Sequence, residues 1–468
     1  MLVLPLVRRE AHWPDLSHTL GPRARRLPAG WPLAAALVLF PLWWFLGLGS
    51  FVFPIFAIPM AWQLSRREFI RVPPWFALWA LFVLWSLFGA VMLTTTPAGT
   101  VPQSLGTGLT AFGLRSLQYL AATVVLLYVG NLDETEVPRL RIIRWSGVLF
   151  LVTLAGGYLG LLFPSLNWTS LVERLLPTSV SSRRGLQQLI HPAVSQIQDV
   201  IGVGNARPKA PFEYTNAWGN NLSILLLWFV VGWIVYGSAR RRFVGLIALA
   251  VAIVPIMYSL NRGLWIGLVL AALFVAVRLA LAGRPVFLAW VALGATLLVV
   301  VMAVSPLGRV FVDRLNAGNS NQVRTSLSQD SVSLALRSPI LGYGGTRDML
   351  GSADSIAIGA TPDCPRCGNR TVGSNGHFWN VLFAQGFVGA FFFVGWYLMS
   401  FWHYRRDVTA IGLAGEAVVV TTLLYMFAYV AISSSLSLVM LSIGLLWRNE
   451  QERRSDPALP VPRPEVPA

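Results

Sequence analysis

Apolar runs of about 20 residues recur from one end of the chain to the other, and each can cross a bilayer core about 30 Å thick. The chain is 55% hydrophobic and only 12% charged, whereas a soluble domain carries about 25% charged residues. With so few charges, a chain of 468 residues cannot cover a water-facing surface. The sequence therefore predicts an all-α, polytopic integral membrane protein.

The hydropathy pattern predicts two tails and a membrane domain between them. We expect a cytoplasmic N-terminal tail at 1–31, a membrane domain at 32–447 and a disordered, Pro-rich cytoplasmic tail at 448–468. About twelve spans are predicted, and the first two form either a broken hairpin or one long helix. The spans run approximately over 32–47, 50–65, 74–93, 114–130, 145–163, 216–237, 243–260, 263–281, 285–304, 377–400, 410–429 and 432–447.

Arginine marks the predicted cytoplasmic side of this bundle. The net charge is +16 and the pI is about 10.9, which in a soluble protein would suggest a nucleic-acid partner. Here the arginines collect in alternate loops, as the positive-inside rule expects of cytoplasmic loops. We therefore predict a multi-pass protein of the cytoplasmic membrane with both termini cytoplasmic, contacts to membrane lipids and no nucleic-acid partner. The basic loops are 66–71, 139–144, 240–242, 278–284 and 405–406.

Two long basic loops fall on the predicted outer side, at about 164–215 and 305–376. Long loops translocate despite their charge, so one interpretation is that both are simply solvated. Long loops in compact proteins are usually functional or disordered, and the apolar residues spaced along these two favour order. In the first loop, 182–191 is predicted to form a short helix. In the second, an amphipathic helix over 321–336 is expected to stop before Pro339, and 342–345 forms a tight turn.

Arg262 stands between two apolar runs that together make two spans. An Arg near the hydrocarbon core is costly unless it is paired or faces water. One interpretation is an interfacial Arg that reaches to the lipid headgroups. The other is an anion site at the outer mouth of the bundle, where Gly263 would allow close approach of another backbone.

Two further polar groups lie at predicted membrane boundaries. Asn216, with Asn220 and Asn221, starts the sixth predicted span, where amides serve either as helix caps or as ligand contacts. His377 and Asn380 are three residues apart on the first turn of the tenth span, so they share a helix face. A lone His is either structural or a base and proton relay, and Asn380 is expected to orient its ring.

The two cysteines, Cys364 and Cys367, lie in the second outer loop. In an oxidising compartment a local disulfide is favoured over a redox site, and a zinc site would need two more ligands. We therefore predict neither a metal nor a cofactor. The sequence has no carboxylate pair suited to glycoside hydrolysis and no phosphate-binding Gly loop. Carboxylates within the predicted spans are nearly absent apart from Glu416, which disfavours a proton-coupled transporter.

Four segments, in this order, resemble the O-antigen ligase and O-antigen polymerase superfamily of bacterial envelope glycosyltransferases. The similarity covers about residues 210–400, and each motif alone is weak. The motifs depart from the family pattern at two positions. The amide follows His377 three residues later, at Asn380, and not directly, and Asn261 stands where a small hydroxyl residue is more usual. The segments are Phe212-Glu-Tyr-Thr-Asn-Ala-Trp-Gly, Asn261-Arg-Gly-Leu-Trp-Ile-Gly, the stretch from Arg324 to Ser338-Pro-Ile-Leu-Gly-Tyr-Gly-Gly, and Gly376-His-Phe-Trp-Asn-Val-Leu-Phe-Ala-Gln-Gly-Phe-Val-Gly.

The resemblance implies a metal-independent, inverting glycosyltransferase at the outer face of the cytoplasmic membrane. Its donor would be an undecaprenyl-diphosphate-linked glycan, and its acceptor a hydroxyl of another glycan or molecule. Arg262 and Arg324 would bind the diphosphate, and His377 would act as general base toward the acceptor hydroxyl. By the same resemblance or by position, further substrate-binding candidates are Asn216, Arg183, Arg184, Arg347 and Asn380.

Two other classes of function remain open from the residues alone. A transporter or flippase for an anionic or lipid-linked substrate would need ionisable groups along the mid-membrane path. A scaffold in an envelope synthesis complex would need no site at all. Ligase and polymerase also remain undistinguished, as do the sugar and the acceptor.

Overall fold

The computed structural model describes residues 28–181, 184–199, 204–316, 319–349 and 371–455. The chain is mostly helical, at 72%. Within the described residues, six helices are long and apolar enough to cross a membrane, and four more apolar helices are shorter. The chain is therefore a helical, multi-pass membrane protein, as the apolar runs predicted.

The N-terminal third contains the first six helices. The predicted segment 32–47 is broken into two helices of 8 and 6 residues, because Pro41 removes a backbone donor near the break. Neither piece alone is long enough to cross a bilayer. Turns of 3₁₀ helix cover Gly49–Phe51 and Gly89–Met92. The helices are α1 (Trp31–Val38), α2 (Phe40–Phe45), α3 (Val52–Leu64), α4 (Phe76–Phe88), α5 (Leu105–Asn131) and α6 (Arg139–Leu162).

The first long connection, residues 163–214, is ordered over most of its length. It forms three short helices and an antiparallel strand pair in which Gln196 is aligned with Arg207. The short helix predicted over 182–191 is present over a slightly shorter range. The elements are α7 (Leu171–Leu175), α8 (Thr178–Ser181), α9 (Arg184–Ile190), β1 (Ser195–Asp199) and β2 (Gly204–Pro208).

Four apolar helices follow, and the first ends in a π-helical turn over Val230–Val235. The second long connection, residues 305–376, contains two helices and a two-residue strand pair. The amphipathic helix predicted over 321–336 is present and stops ahead of Pro339, as expected. The elements are α10 (Thr215–Phe229), α11 (Ala239–Tyr258), α12 (Arg262–Leu281), α13 (Val286–Val304), α14 (Pro306–Asn316), α15 (Asn319–Ala335), β3 (Arg347–Asp348) and β4 (Thr371–Val372).

The last three helices are α16 (His377–Tyr404), α17 (Ala410–Tyr425) and α18 (Ser434–Ser455). The prediction of a tail from residue 448 is wrong for its first eight residues, which continue α18. Arg448 is buried there and donates to the carbonyl of Val137 at 2.6 Å. These contacts hold the last turns of α18 against the bundle. Residues 456–468 lie outside the described part of the chain.

Helix α18 forms the centre of the bundle, where it packs against α5, α10 and α17. Every residue from Ser434 to Asn449 is buried. Small residues let helices approach closely in a membrane, and a Cβ on Gly444 would lie only 3.1 Å from the carbonyl oxygen of Leu126. Hydroxyls add bonds between helices, such as that from the Trp228 indole to Ser442 at 2.8 Å.

The turn at 342–345 is inserted into the helical bundle. The N–H groups of Tyr343 and Gly344 donate to the carbonyls of Phe383 and Ala384, at 3.0 and 2.8 Å. Helix α16 is kinked just after them, at Gly386, where φ is +68°. The inserted turn therefore donates to helix carbonyls that the kink leaves without an acceptor bond. Irregular backbone inside a membrane protein is tolerated when its polar groups are paired in this way.

The two long connections lie at the same end of the bundle. Segment 94–104 reaches this end too, because the N–H of Val101 donates to the carbonyl of Asp348 at 2.8 Å. We call it the loop end, defined by residues 163–214 and 305–376. The opposite end, where α18 ends, is called the tail end.

Candidate functional site

The turn between α11 and α12 is the centre of the candidate site. Leu260 has a left-handed backbone with φ of +53°, a conformation that costs a non-glycine residue about 1–3 kcal/mol. Asn261 caps α12, because its side chain accepts from the N–H of Leu264 at 3.4 Å. The hydroxyl of Tyr429 also donates to the Asn261 side chain. Arg262 is the first residue of α12, where the positive end of the helix dipole favours an anion.

Close packing of α12 against the segment after α17 fixes this turn. A Cβ on Gly263 would lie 2.4 Å from the hydroxyl oxygen of Tyr429, and one on Gly219 would lie 2.6 Å from the Asn261 amide nitrogen. Only glycine fits at these distances. Gly263 does allow a close contact, but the neighbour is the side chain of Tyr429 and not the backbone that the sequence predicted.

Four arginines surround the turn, and we call them the arginine cluster: Arg207, Arg262, Arg314 and Arg324. They come from β2, α12, α14 and α15, so both long connections contribute. Burial, together with neighbouring guanidinium groups, lowers the pKa of Arg207 and of Arg314 to about 10.

Backbone carbonyls hold three of these side chains. Arg207 donates from Nε to the carbonyl of Ser259 at 2.7 Å, and Arg314 donates from Nε to that of Leu260 at 2.9 Å. Arg324 donates from Nη1 to the carbonyl of Ala428 at 2.8 Å. A carbonyl orients a guanidinium without cancelling its charge. These bonds therefore orient three guanidinium groups around the same turn at the loop end.

His377 lies on the first turn of α16, as predicted, and it is fully buried there. Its ring stacks on Phe393, with 4.8 Å between the ring centres. Its Nε2 lies 3.2 Å from the hydroxyl of Tyr119, and its backbone N–H donates to the carbonyl of Tyr429 at 2.8 Å. Tyr429 thus contacts both His377 and the turn that carries Arg262.

The prediction that Asn380 orients His377 is wrong. The Asn380 side chain is buried and donates to the carbonyl of Gly373 at 3.1 Å. Tyr119 is the hydrogen-bond partner of the His377 ring instead. Asn380 therefore fixes the backbone of the segment that leads into α16.

Arg347 is not presented to a substrate, contrary to the prediction. The residue is 3% exposed, and its guanidinium group donates to five backbone carbonyls. Burial and the nearby Arg115 lower the pKa of Arg347. Its main role is to hold the inserted turn against the segment after α4. The five acceptors are the carbonyls of Gly345, Thr346, Leu93, Thr95 and Tyr343.

The structure describes only some of the remaining predicted site residues. Asn216 is half-buried on the first turn of α10, next to Thr215, whose hydroxyl donates to the Arg207 carbonyl at 3.5 Å. Arg184 begins α9, but its side chain lies outside the described part of the structure. Arg183 and the predicted disulfide pair, Cys364 and Cys367, also lie outside the described residues.

Sequence reasoning missed Arg207, Arg314, Tyr429 and the buried Arg115. The first two were counted only as loop charges, because nothing in the sequence showed that they meet Arg262. A signal existed for Arg115, since it falls inside a predicted span, where any charged residue is unusual.

No protein family model matches the sequence. A comparison with curated proteins also finds no match. The likeness to the O-antigen ligase and polymerase superfamily therefore remains an expectation based on the four motifs.

Proposed function

We propose that the chain is a membrane glycosyltransferase that moves an undecaprenyl-diphosphate-linked glycan onto an acceptor hydroxyl. The reaction is metal-independent and inverting, as in O-antigen ligases and polymerases. The observation that carries the proposal is the arginine cluster, whose four side chains from separate elements meet beside the start of α12. Arginine suits a lipid diphosphate because its planar fork binds phosphate oxygens in pairs.

The membrane topology is part of the proposal. Both termini are cytoplasmic, about twelve segments cross or enter the bilayer, and the loop end faces outward. The alternation of arginine along the sequence supports this orientation. At the tail end, Arg67 pairs with Glu136 at 2.5 Å, which fits a basic cytoplasmic surface with its own counter-ions.

The proposed chemistry needs positive charge where the leaving group forms. The acceptor oxygen attacks the anomeric carbon of the donor, and the bond from that carbon to the diphosphate oxygen breaks. The electron pair of this bond goes to the diphosphate, whose negative charge increases. Preorganised cations beside that oxygen stabilise the transition state more than the bound donor. Arg262 and Arg324 have this role, and Arg207 and Arg314 add to it.

His377 is the proposed general base for the acceptor hydroxyl. Tyr119 fixes the imidazole ring through Nε2, and Phe393 supports its face. Because the ring is fully buried, the acceptor must open this packing before its hydroxyl reaches a ring nitrogen. The acceptor proton then goes to His377 as the new glycosidic bond forms.

The test is transfer of a lipid-linked glycan by the purified protein. Arg262→Ala and Arg324→Ala should each abolish transfer while the protein remains in the membrane. The control is Arg174→Ala, which removes an exposed charge from the first long connection and should transfer normally. Full activity of both cluster variants would refute the site.

His377→Ala separates the roles of base and cluster. We expect loss of turnover with retained binding of the lipid diphosphate, because the cluster is intact. Loss of binding together with turnover would contradict the role of His377 as a base. A protein that moves the lipid across a bilayer without altering it would instead be a transporter or flippase, the second class left open by the sequence.

A further inference from the structure

An open groove lies at the tail end of the bundle, between the connection from α3 to α4 and the last turns of α18. Its volume is about 730 Å³, within the range of about 300–1,000 Å³ that small-molecule sites occupy. Among the described residues, two arginines and no carboxylate line this groove. We call it the tail groove, and its lining includes Ile70, Arg71, Val72, Trp447, Gln451 and Arg454.

Arg71 is fixed on one side of the tail groove. Its backbone N–H donates to the Asn131 side chain at 2.9 Å, and the Asn131 amide donates back to its carbonyl at 3.0 Å. Its Nη1 donates to the Gln451 side chain at 2.7 Å. Its Nε and Nη2 make no hydrogen bond to the described residues. The guanidinium group is therefore held in place while two of its nitrogens remain able to donate to a ligand.

Arg454 supplies the second charge of the tail groove. Gln451 and Arg454 are three residues apart on α18, so they share a helix face, and Gln451 holds Arg71 against that face. Arg454 pairs through Nη2 with Glu450 at 2.6 Å. Within the described part of the chain, its Nε and Nη1 bond to nothing else. Two guanidinium groups with donors to spare therefore border one open space.

The other wall of the tail groove is apolar. Ile70 and Val72 are 47% and 53% exposed, on either side of Arg71 in the chain. Trp447 lies deeper and packs directly on Gly130 of α5, where no Cβ would fit. Exposed apolar side chains beside arginines are expected where a bilayer changes from acyl chains to headgroups. The groove therefore offers a charged part and an apolar part to one ligand.

We propose that the tail groove binds one anionic phospholipid, whose phosphate lies between Arg71 and Arg454 and whose acyl chain lies on Ile70 and Val72. Arginine binds phosphate oxygens in pairs, and two cations without a carboxylate favour a headgroup with a net negative charge. Basic pockets between helices on the cytoplasmic side of membrane proteins bind lipid headgroups in this way. The site does not depend on the proposed reaction, and with the proposed orientation the lipid belongs to the cytoplasmic leaflet.

The test is titration of the delipidated full-length protein in detergent with dioctanoyl-phosphatidylglycerol and, separately, with dioctanoyl-phosphatidylcholine. The wild-type chain should bind the anionic lipid about tenfold or more tightly than the zwitterionic one, because the two differ in headgroup charge. Arg71→Gln and Arg454→Gln should each lower the affinity for the anionic lipid about fivefold, as expected of one arginine at a lipid headgroup. Equal affinity of the wild-type chain for the two lipids would overturn the proposal.

Arg240→Gln and Arg406→Gln are the matched controls. Each removes one exposed arginine from the tail end, outside the groove, and should leave the affinity for the anionic lipid unchanged. An equal loss in the controls would contradict a defined site, because binding would then follow the overall charge of that end. Arg454 is exposed, so Arg454→Gln should unfold at the wild-type temperature without lipid. Weaker binding that comes only with a lower unfolding temperature would assign the arginines to the fold and overturn the lipid site.

A soluble phosphate separates a lipid site from a simple anion site. Glycerol phosphate carries the charge without acyl chains, so it should bind about tenfold or more weakly than the anionic lipid. Val72→Ser shortens the apolar wall and should lower the affinity for the lipid about threefold or more, with no change for glycerol phosphate. Equal affinity for glycerol phosphate and the lipid would show a site for soluble phosphate and refute the proposed occupant.

Discussion

Replacement of Gly263 by Ala tests the packing that holds the candidate site together. The new Cβ would lie 2.4 Å from the hydroxyl oxygen of Tyr429 and 2.8 Å from its Cζ. Non-bonded heavy atoms prefer about 3.5–4.0 Å, so the buried Tyr429 must move by about 1 Å. Overpacking of this kind costs about 1–3 kcal/mol, and loss of the Tyr429–Asn261 hydrogen bond adds about 1 kcal/mol.

The assay is thermal and denaturant unfolding in detergent, together with transfer activity. Gly263→Ala should lower the free energy of unfolding by about 2–4 kcal/mol. Transfer should fall by about 100-fold, because an error of about 1 Å in a positioned group is enough for such a loss. Gly113→Ala on α5 is the control, since a Cβ there meets nothing within 4 Å and Ala favours the helix.

A second substitution makes the test stricter. Tyr429→Phe removes the hydroxyl oxygen that lies closest to the new Cβ. The double variant Gly263→Ala/Tyr429→Phe should therefore be more stable than Gly263→Ala alone, but it still lacks the hydrogen bond to Asn261. Neighbouring residues of this kind are expected to be non-additive. If Gly263→Ala is as stable and as active as the wild-type chain, the close contact of α12 with Tyr429 does not control the site.

Three further predictions concern buried polar groups. Glu416→Gln should lower the free energy of unfolding by about 3–5 kcal/mol, because it leaves Arg278 without its carboxylate. The double variant Glu416→Gln/Arg278→Gln should recover part of this loss. Tyr119→Phe should lower turnover about fivefold, because it removes a hydrogen bond to His377 that is worth about 1 kcal/mol. Binding of the donor, measured by titration, should not change. Burial raises the pKa of the Glu213 carboxyl to about 7. The Glu213 carboxyl therefore ionises at lower pH in the unfolded chain than in the folded one. The free energy of unfolding should fall as the pH rises from 4.5 to about 7. Glu213→Gln should remove this dependence of the unfolding temperature on pH.

Predictions from the sequence succeeded where one local signal decides the structure. Each predicted span coincides with a helix or a helix pair, because an apolar run must bond its own backbone inside a bilayer. The end of α15 ahead of Pro339 follows from proline sterics, and the turn at 342–345 follows from its glycines. Arg262 was singled out because a charge between two apolar runs is unusual, and it lies at the turn between α11 and α12 as expected.

Predictions failed where a contact joins distant parts of the chain. No local pattern shows that Arg207 on β2 and Arg314 on α14 meet at the turn before Arg262. Asn380 shares a helix face with His377, but the carbonyl of Gly373 competes for its amide. Arg347 has the same chemistry as Arg324, and only the position of the inserted turn decides that its donors go to backbone carbonyls.

Three partly buried arginines at the two ends of the bundle differ in the groups to which they bond. At the tail end, Arg139 and Arg278 bond to carboxylates, those of Glu134 and Glu416, so the folded chain supplies its own counter-ions. At the loop end, Arg324 bonds to carbonyls, which fix the direction of its donors and leave its charge intact. A protein that needed these cations only for its fold would gain from carboxylates at both ends. For Arg324 this difference is expected if an anionic ligand completes the loop end, which agrees with the proposed diphosphate-binding site.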